Sequence, residues 1–124
     1  MNVVDSSGWL EYFADAANAD FFAPAIEAPS ELFVPSISLY EVFKRVLQQR
    51  DETAALEAVA VMQSGRVIDL DAMIAINSAG LAHKYKLPMA DSIILATAIQ
   101  FEAELWTQDA DFKDVSNVHY VEKK

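Results

Sequence analysis

Acidic side chains stand at four separate places in the chain where a strand is predicted to end or a helix to begin. Asp5 follows the apolar run 1–4, and Asp109 follows a later strand-like run. Glu41 and Asp91 lie near the starts of two predicted helices. Buried carboxylates that lie close together repel each other unless a proton or a cation joins them. Carboxylate oxygens are the ligands that Mg²⁺ prefers, so the pattern predicts a metal site able to activate water against a phosphodiester.

Each of these acids also has a simpler structural explanation, with one exception. Asp5 could cap the helix that follows it, and the helix dipole favours Asp91 in a first helical turn. Asp109 and Asp111 could be ordinary turn residues. Glu41 is the exception, because an acid on an apolar helix face normally needs a partner. The joint occurrence favours a shared site over four unrelated roles.

Short apolar runs alternate with longer helical patterns along the chain. This alternation predicts a single α/β domain over residues 1–124, built on a parallel sheet with helices on both faces. Ligands of such sheets bind outside the carboxyl ends of the strands, which is where the acids are expected to meet. The predicted strands are 1–4, 32–34, 67–68, 105–107 and 119–121. The predicted helices begin near Trp9 and Asn18, cover Ile37–Gln49, follow Asp51 and Asp71, and cover Met89–Phe101. The helix after Asp71 is predicted to have its apolar side at Met73, Ile74, Ile76, Ala79, Leu81 and Ala82.

Composition narrows the class of protein further. Of the 124 residues, 53% are apolar, which is enough for a buried core and excludes a disordered segment. The net charge of −10 argues against nucleic-acid binding over the whole surface but permits one local site. The absence of cysteine excludes disulfides and thiolate metal sites. The sequence shows no secretion signal and no apolar run of about 18 residues, so we expect a cytoplasmic protein without contact to membrane.

Four short motifs occur in order along the chain. Val4-Asp5-Ser6-Ser7 ends the first strand, and Ser36-Ile37-Ser38-Leu39-Tyr40-Glu41 opens a helix. A second helix contains Ala90-Asp91-Ser92-Ile93-Ile94-Leu95-Ala96-Thr97-Ala98, and a loop contains Thr107-Gln108-Asp109-Ala110-Asp111-Phe112. In order and spacing the four motifs resemble those of the PIN-domain endoribonucleases, especially the VapC-type toxins of bacterial toxin–antitoxin pairs. The resemblance covers essentially the whole chain.

This resemblance implies a three-layer PIN-like domain with a central parallel five-stranded sheet. It implies a Mg²⁺- or Mn²⁺-dependent endoribonuclease that acts as the toxin of a toxin–antitoxin pair, forms a homodimer and binds a cognate antitoxin protein. Its catalytic acids and metal ligands would be Asp5, Glu41, Asp91 and Asp109, with Asp5 and Asp91 the most direct ligands. The hydroxyls of Ser6 and Thr107 would orient these carboxylates, and Asp111 would be a more peripheral acid.

The chain departs from the family in the loop after the fourth strand. Members often carry a basic residue at the positions held here by Gln108 and Ala110, so contacts to RNA must come from elsewhere. The remaining candidates for phosphate contact are Lys44, Arg45, Lys84 and Lys86. Their simpler explanation is a solvated helix face, since most surface cations contact only water.

Two other functions share parts of this pattern. A receiver-type phosphoacceptor domain has a similar length and clusters acids around Mg²⁺, but it needs a pair of acids after its first strand. Here Asp5 is followed by Ser6 and Ser7. A catalytically silent, acid-lined α/β binding module would keep the fold without the chemistry.

Overall fold

The computed structural model describes residues 1–124, which form five β-strands and six α-helices. The strands are β1 (Asn2–Val4), β2 (Leu32–Pro35), β3 (Arg66–Ile68), β4 (Glu104–Thr107) and β5 (Val118–Tyr120). The helices are α1 (Ser6–Phe13), α2 (Ala19–Ile26), α3 (Ser36–Gln49), α4 (Glu52–Met62), α5 (Ala72–Tyr85) and α6 (Met89–Gln100). Short 3-10 turns cover Pro29–Glu31 and Ala110–Phe112. None of the helices combines the length and the apolar character needed to cross a bilayer.

All five strands pair in parallel, in the order β3-β2-β1-β4-β5. The predicted α/β class, with its parallel five-stranded sheet, is therefore confirmed. The chain builds the sheet outward from β1 in one direction and then crosses to add β4 on the other side, so the strand order reverses between β1 and β4. Open α/β sheets bind ligands at such a crevice. Receiver domains have the order 2-1-3-4-5, so this strand order argues against the phosphoacceptor alternative.

The two faces of the sheet carry separate cores because side chains alternate along each strand. Val4 and Val34 belong to the larger cluster, which joins α1, α2, α3 and α4 to one face. Val3 and Phe33 belong to a second cluster on the other face, where α6 packs and α5 lies outside it. The result is the three-layer arrangement that the sequence predicted.

Helix α5 forms after Asp71 as predicted and leaves part of its apolar side exposed. Its side chains Met73 and Ile76 are 63% and 74% exposed, and Ala79 is also exposed, so they do not join the core. Only Ile74 and Ser78 of this helix are fully buried. Periodicity identifies an apolar stripe without saying which part of it the rest of the same chain covers.

Gly8 sets the distance between α1 and α2, and we expect Gly8→Ala to destabilise the protein. A Cβ atom at this position would lie 2.6 Å from Cε1 of Phe22 and 2.8 Å from Cγ1 of Val4. Overpacking costs about 1–3 kcal/mol, which outweighs the gain of up to about 1 kcal/mol from replacing glycine in a helix. We expect the melting temperature to fall by several degrees.

A double-mutant cycle with Phe22→Leu checks the cause of this loss. The added methyl group should cost less in the Phe22→Leu background, because the smaller side chain leaves room for it. Equal costs in both backgrounds, measured by thermal or urea unfolding, would contradict the packing explanation.

Candidate active site

The four acids predicted from the sequence come together at the carboxyl edge of the sheet. Asp5 follows β1 directly, and Asp109 lies two residues beyond β4. Glu41 lies in the second turn of α3, and Asp91 lies in the first turn of α6. All four line one open pocket of about 280 Å³ together with Ser6, Ser7, Leu10 and Arg45. Parallel strands bring these separate segments to one place because their carboxyl ends share an edge.

Asp5 is held at the back of this pocket by two hydroxyl groups. It is only 2% exposed, and its Oδ2 atom accepts hydrogen bonds from Ser7 Oγ and Thr107 Oγ1, both at 2.8 Å. Its side chain makes no capping bond to α1. The carboxylate of Asp5 is therefore tied to the pocket wall, and the helix-cap explanation does not account for it.

Thr107 links two of the acids. Besides donating to Asp5, its hydroxyl accepts a hydrogen bond of 2.9 Å from the backbone N–H of Asp109. Asp109 Oδ1 in turn accepts from the backbone N–H of Asp111 at 2.9 Å. Asp109 is therefore a turn residue, which was its simpler structural explanation. The same turn also places its side chain in the pocket.

Glu41 is fixed from a different element. Ser6 Oγ donates a hydrogen bond of 2.7 Å to Glu41 Oε1, which connects the start of α1 to α3. Asp5 and Glu41 each use one carboxylate oxygen for these bonds and leave the other without a hydrogen bond. These two side chains therefore offer a free carboxylate oxygen from a fixed position.

We expect Thr107→Val to weaken binding of Mn²⁺ by about 10–100-fold, the usual effect of losing a group that orients a metal ligand. The substitution removes the donor to Asp5 and the acceptor for the N–H of Asp109. Thr107→Ser keeps both bonds and should retain affinity within a few-fold. Isothermal titration calorimetry of the metal-free proteins compares them, and wild-type affinity in Thr107→Val would refute this role.

The pKa values of two carboxyl groups reflect crowding of negative charge. Burial raises the pKa of Asp5 to about 6, with the charges of Asp109 and Glu41 adding to the effect and the Thr107 and Ser7 hydroxyls opposing it. Burial and the charges of Asp5, Asp109 and Glu41 raise the pKa of Asp91 to about 8. Three other acids act on Asp91 in addition to its place in the first turn of α6, so a helix-dipole role alone does not explain it.

The donor set fits a hard divalent cation. Carboxylate oxygens of Asp91, Asp109 and Asp111 all lie within 4.8 Å of one another. Oxygens on opposite sides of one Mg²⁺ are about 4.2 Å apart, given bonds of about 2.1 Å. The spacing is therefore close to that of ligands around a single ion. Asp111, predicted as the peripheral acid, is exposed but lies beside Asp91 and Asp109.

Of the four cationic residues predicted to contact phosphate, only one lines the acidic pocket in the structure. Arg45 lines the acidic pocket, one turn beyond Glu41 on α3. Lys44 lies over the ring of Tyr40 at 5.7 Å, and Lys84 lies over that of Tyr85 at 5.0 Å. These two and Lys86, which ends α5 with a left-handed φ of 59°, do not line the pocket.

Sequence reasoning missed the support behind the loop that carries Asp109. Gln108 is 4% exposed, and it accepts a hydrogen bond of 3.0 Å from Asn18 and donates one of 3.2 Å to Glu11. Asn18 also donates to the backbone carbonyl of Glu122 at 3.1 Å. The sequence also showed no sign that Ser7 is the second hydroxyl that donates to Asp5. The sequence shows only that these residues are polar. It does not show that they contact each other, because the partners are far apart in sequence.

The sequence model of the PIN domain matches residues 3–118 of the chain. The chain belongs to the PIN-domain family. Its PIN fold is shared by solved structures that include a toxin–antitoxin complex from Klebsiella pneumoniae, with 25% identity, 95% of each chain covered and a TM-score of 0.79. A search of curated protein sequences finds no significant match.

Two further solved PIN-like structures align over nearly the whole chain. VapC20 from Mycobacterium tuberculosis, a toxin that cleaves the sarcin-ricin loop, has 17% identity and a TM-score of 0.81, with 96% of this chain and 98% of that chain covered. A DNA-bound VapBC complex from Salmonella typhimurium has 17% identity and a TM-score of 0.71, with coverages of 98% and 96%. At these identities the likeness concerns the PIN fold.

Proposed function

We propose that this PIN domain is an endoribonuclease that depends on Mg²⁺ or Mn²⁺ and acts as the toxin of a toxin–antitoxin pair. The observation that carries the proposal is the convergence of Asp5, Glu41, Asp91 and Asp109 from four separate segments into one pocket. Negative charge concentrated in this way calls for a cation. Membership of the PIN-domain family supports a nuclease that uses a divalent metal.

These acids would hold the cation, with Asp111 beside them. When bound, the ion would activate a water molecule and stabilise negative charge on the phosphodiester. The chain's own part is orientation: Ser7 and Thr107 hold Asp5, and Ser6 holds Glu41. Arg45 would contact the RNA phosphate, since it is the cation that lines the same pocket. Such preset positions lower the cost of organising the site for each reaction.

The antitoxin would lie in the apolar groove between α1, α3 and α4. This groove has a volume of about 470 Å³ and is lined by side chains that include Phe13, Val46 and Val61. Leu10 lines both the groove and the acidic pocket, so a segment bound in the groove reaches the acids. The similarity to the Klebsiella toxin–antitoxin complex supports a partner of this kind. A toxin and antitoxin made together would meet in the cytoplasm, where we expect this protein to act.

A second copy of the chain would cover the exposed side of α5. Met73 and Ile76 on this helix and Met89 at the start of α6 are all more than half exposed. We expect the wild type to sediment at about twice its 13.7 kDa mass and Ile76→Asp to sediment as a monomer. Leu56→Asp on α4, another exposed apolar position, is the control and should leave the dimer intact. A wild-type monomer would refute the dimer.

Cleavage of a mixed pool of structured RNA tests the activity. The purified protein, freed of any antitoxin, should cut the pool with Mg²⁺ or Mn²⁺. EDTA and the double variant Asp5→Asn/Asp91→Asn should both abolish cutting, which excludes a contaminating nuclease. Failure of the wild type to bind either metal by calorimetry would overturn the catalytic proposal and leave an acid-lined binding domain.

A further inference from the structure

A second pocket adjoins the acidic pocket on the side of β5. It has a volume of about 480 Å³ and shares Ser7 and Asp109 with the acidic pocket. Its other walls include Tyr120, at the end of β5, and Lys123. This volume lies within the range of small-molecule sites, about 300–1,000 Å³. None of the roles given above uses this pocket.

Its wall is held in place by buried polar contacts. The register of the sheet sets Tyr120 directly beside Thr107, whose hydroxyl bonds to Asp5. The segment after β5 is tied to the body of the protein by the bond from Asn18 to the backbone carbonyl of Glu122. Tyr120 therefore lies one strand spacing, about 4.8 Å, from the strand that supports the acids.

The charges around the two pockets are arranged along the edge of the sheet. Arg45 lines the acidic pocket on the β2 side, and Lys123 lines the second pocket on the β5 side. A polyanionic strand lying along this edge would cross the acids between two cations. The acids Asp109 and Glu122 beside Lys123 disfavour a small anion that is held in the second pocket by charge alone. The pocket therefore favours a ligand whose main contact is with the aromatic ring of Tyr120.

The geometry points to the second pocket as a subsite for one nucleotide of single-stranded RNA next to the phosphate that is cut. The base stacks on Tyr120, and Lys123 contacts the flanking phosphate. Base–aromatic stacking tolerates any base, so this subsite adds affinity without fixing the sequence. This inference rests on the proposed ribonuclease function and adds a contact that the acidic site does not provide.

Substitution of Tyr120 tests the stacking contact. Tyr120→Leu should raise the KM for a single-stranded RNA substrate about 5–100-fold, the range expected for loss of one stacked base. Tyr120→Phe keeps the ring and should stay within about twofold of the wild type. Tyr40→Leu removes an exposed tyrosine outside both pockets and is the control for position. The affinity of Tyr120→Leu for Mn²⁺ should equal that of the wild type, which separates the subsite from the metal site.

Salt dependence tests the phosphate contact. The slope of log affinity for single-stranded RNA against log salt should become shallower by about 0.7 in Lys123→Gln, because one phosphate contact is lost. Lys113→Gln, at an exposed lysine that lines neither pocket, should leave the slope unchanged. Fluorescence anisotropy with Ca²⁺ in place of Mg²⁺ gives these affinities without turnover.

The outcomes distinguish this inference from the proposed function. RNA cleavage by the wild type together with an unchanged KM in Tyr120→Leu refutes the subsite and leaves the ribonuclease standing. A wild type that neither cuts nor binds RNA refutes both. Unchanged RNA binding with weakened antitoxin binding in Tyr120→Leu assigns the pocket to the protein partner and also overturns the inference.

Discussion

Asp91→Asn should abolish RNA cleavage while making the metal-free protein more stable at pH 7.5. Loss of this proposed metal ligand should lower activity by about 10³-fold or more, because several kcal/mol of charge stabilisation would depend on the metal. Asp91 has an unperturbed pKa of 3.8 but a pKa of about 8 in the folded protein. The free energy of unfolding of the metal-free wild type therefore falls as the pH rises from about 4 to about 8. Asparagine carries no charge and avoids this loss.

At pH 7.5 the free energy of unfolding of metal-free Asp91→Asn should exceed that of the metal-free wild type by about 1–2 kcal/mol, after allowance for solvent screening. This difference corresponds to several degrees in melting temperature. It should shrink as the pH is lowered and vanish at about pH 3 and below, where Asp91 is protonated in both states. Mn²⁺ should raise the melting temperature of the wild type but not that of the variant. Asp114→Asn, at an exposed acid that does not line the pocket, is the matched control. A lower melting temperature of metal-free Asp91→Asn at pH 7.5 would favour a structural role for Asp91.

The fold and the meeting of the acids were open to prediction because both follow from local patterns and one topological rule. The run Val3-Val4 puts one side chain on each face, and both are fully buried in the structure. Asp51 and Asp71 precede helices, and each accepts the capping N–H that such a position requires. Once strands and helices alternate, residues that follow strands lie at one edge. Asp5 and Asp109 needed no further information.

The details that could not be predicted depend on contacts between distant residues. Gln108 was interpreted as a place where a basic side chain was missing, but the structure buries it against Asn18 and Glu11. Nothing in the sequence around Gln108 indicates that Asn18, which lies 90 positions away, is its partner. The exposure of Ile76 is a similar case, since its apolar character is clear from the sequence but no local pattern shows that the rest of the chain leaves this side chain uncovered. Periodicity identifies a face, and only the packing shows what that face meets.

The affinity for Mn²⁺ should fall steeply as the pH is lowered from 8 to 5. Metal binding requires ionised carboxylates, whereas the metal-free site holds protons because the pKa values of Asp91 and Asp5 are raised to about 8 and about 6. Between pH 8 and pH 6 one proton must leave, which costs about tenfold in affinity per pH unit, and below pH 6 a second proton steepens the fall. We expect a total loss of about 10²–10⁴-fold.

Calorimetry in two buffers with different ionisation enthalpies counts the protons released by binding. The number should rise from about one half at pH 8 towards two at pH 5, with both protons belonging to the coupled carboxyl groups rather than to one residue. Asp114→Asn should follow the wild-type curve, because this acid lies outside the pocket. Affinity that is constant between pH 5 and pH 8 would mean that the metal binds elsewhere. The convergence of the acids would then no longer support catalysis. An ion held by these carboxylates must displace their protons, and constant affinity would show that the protons remain bound.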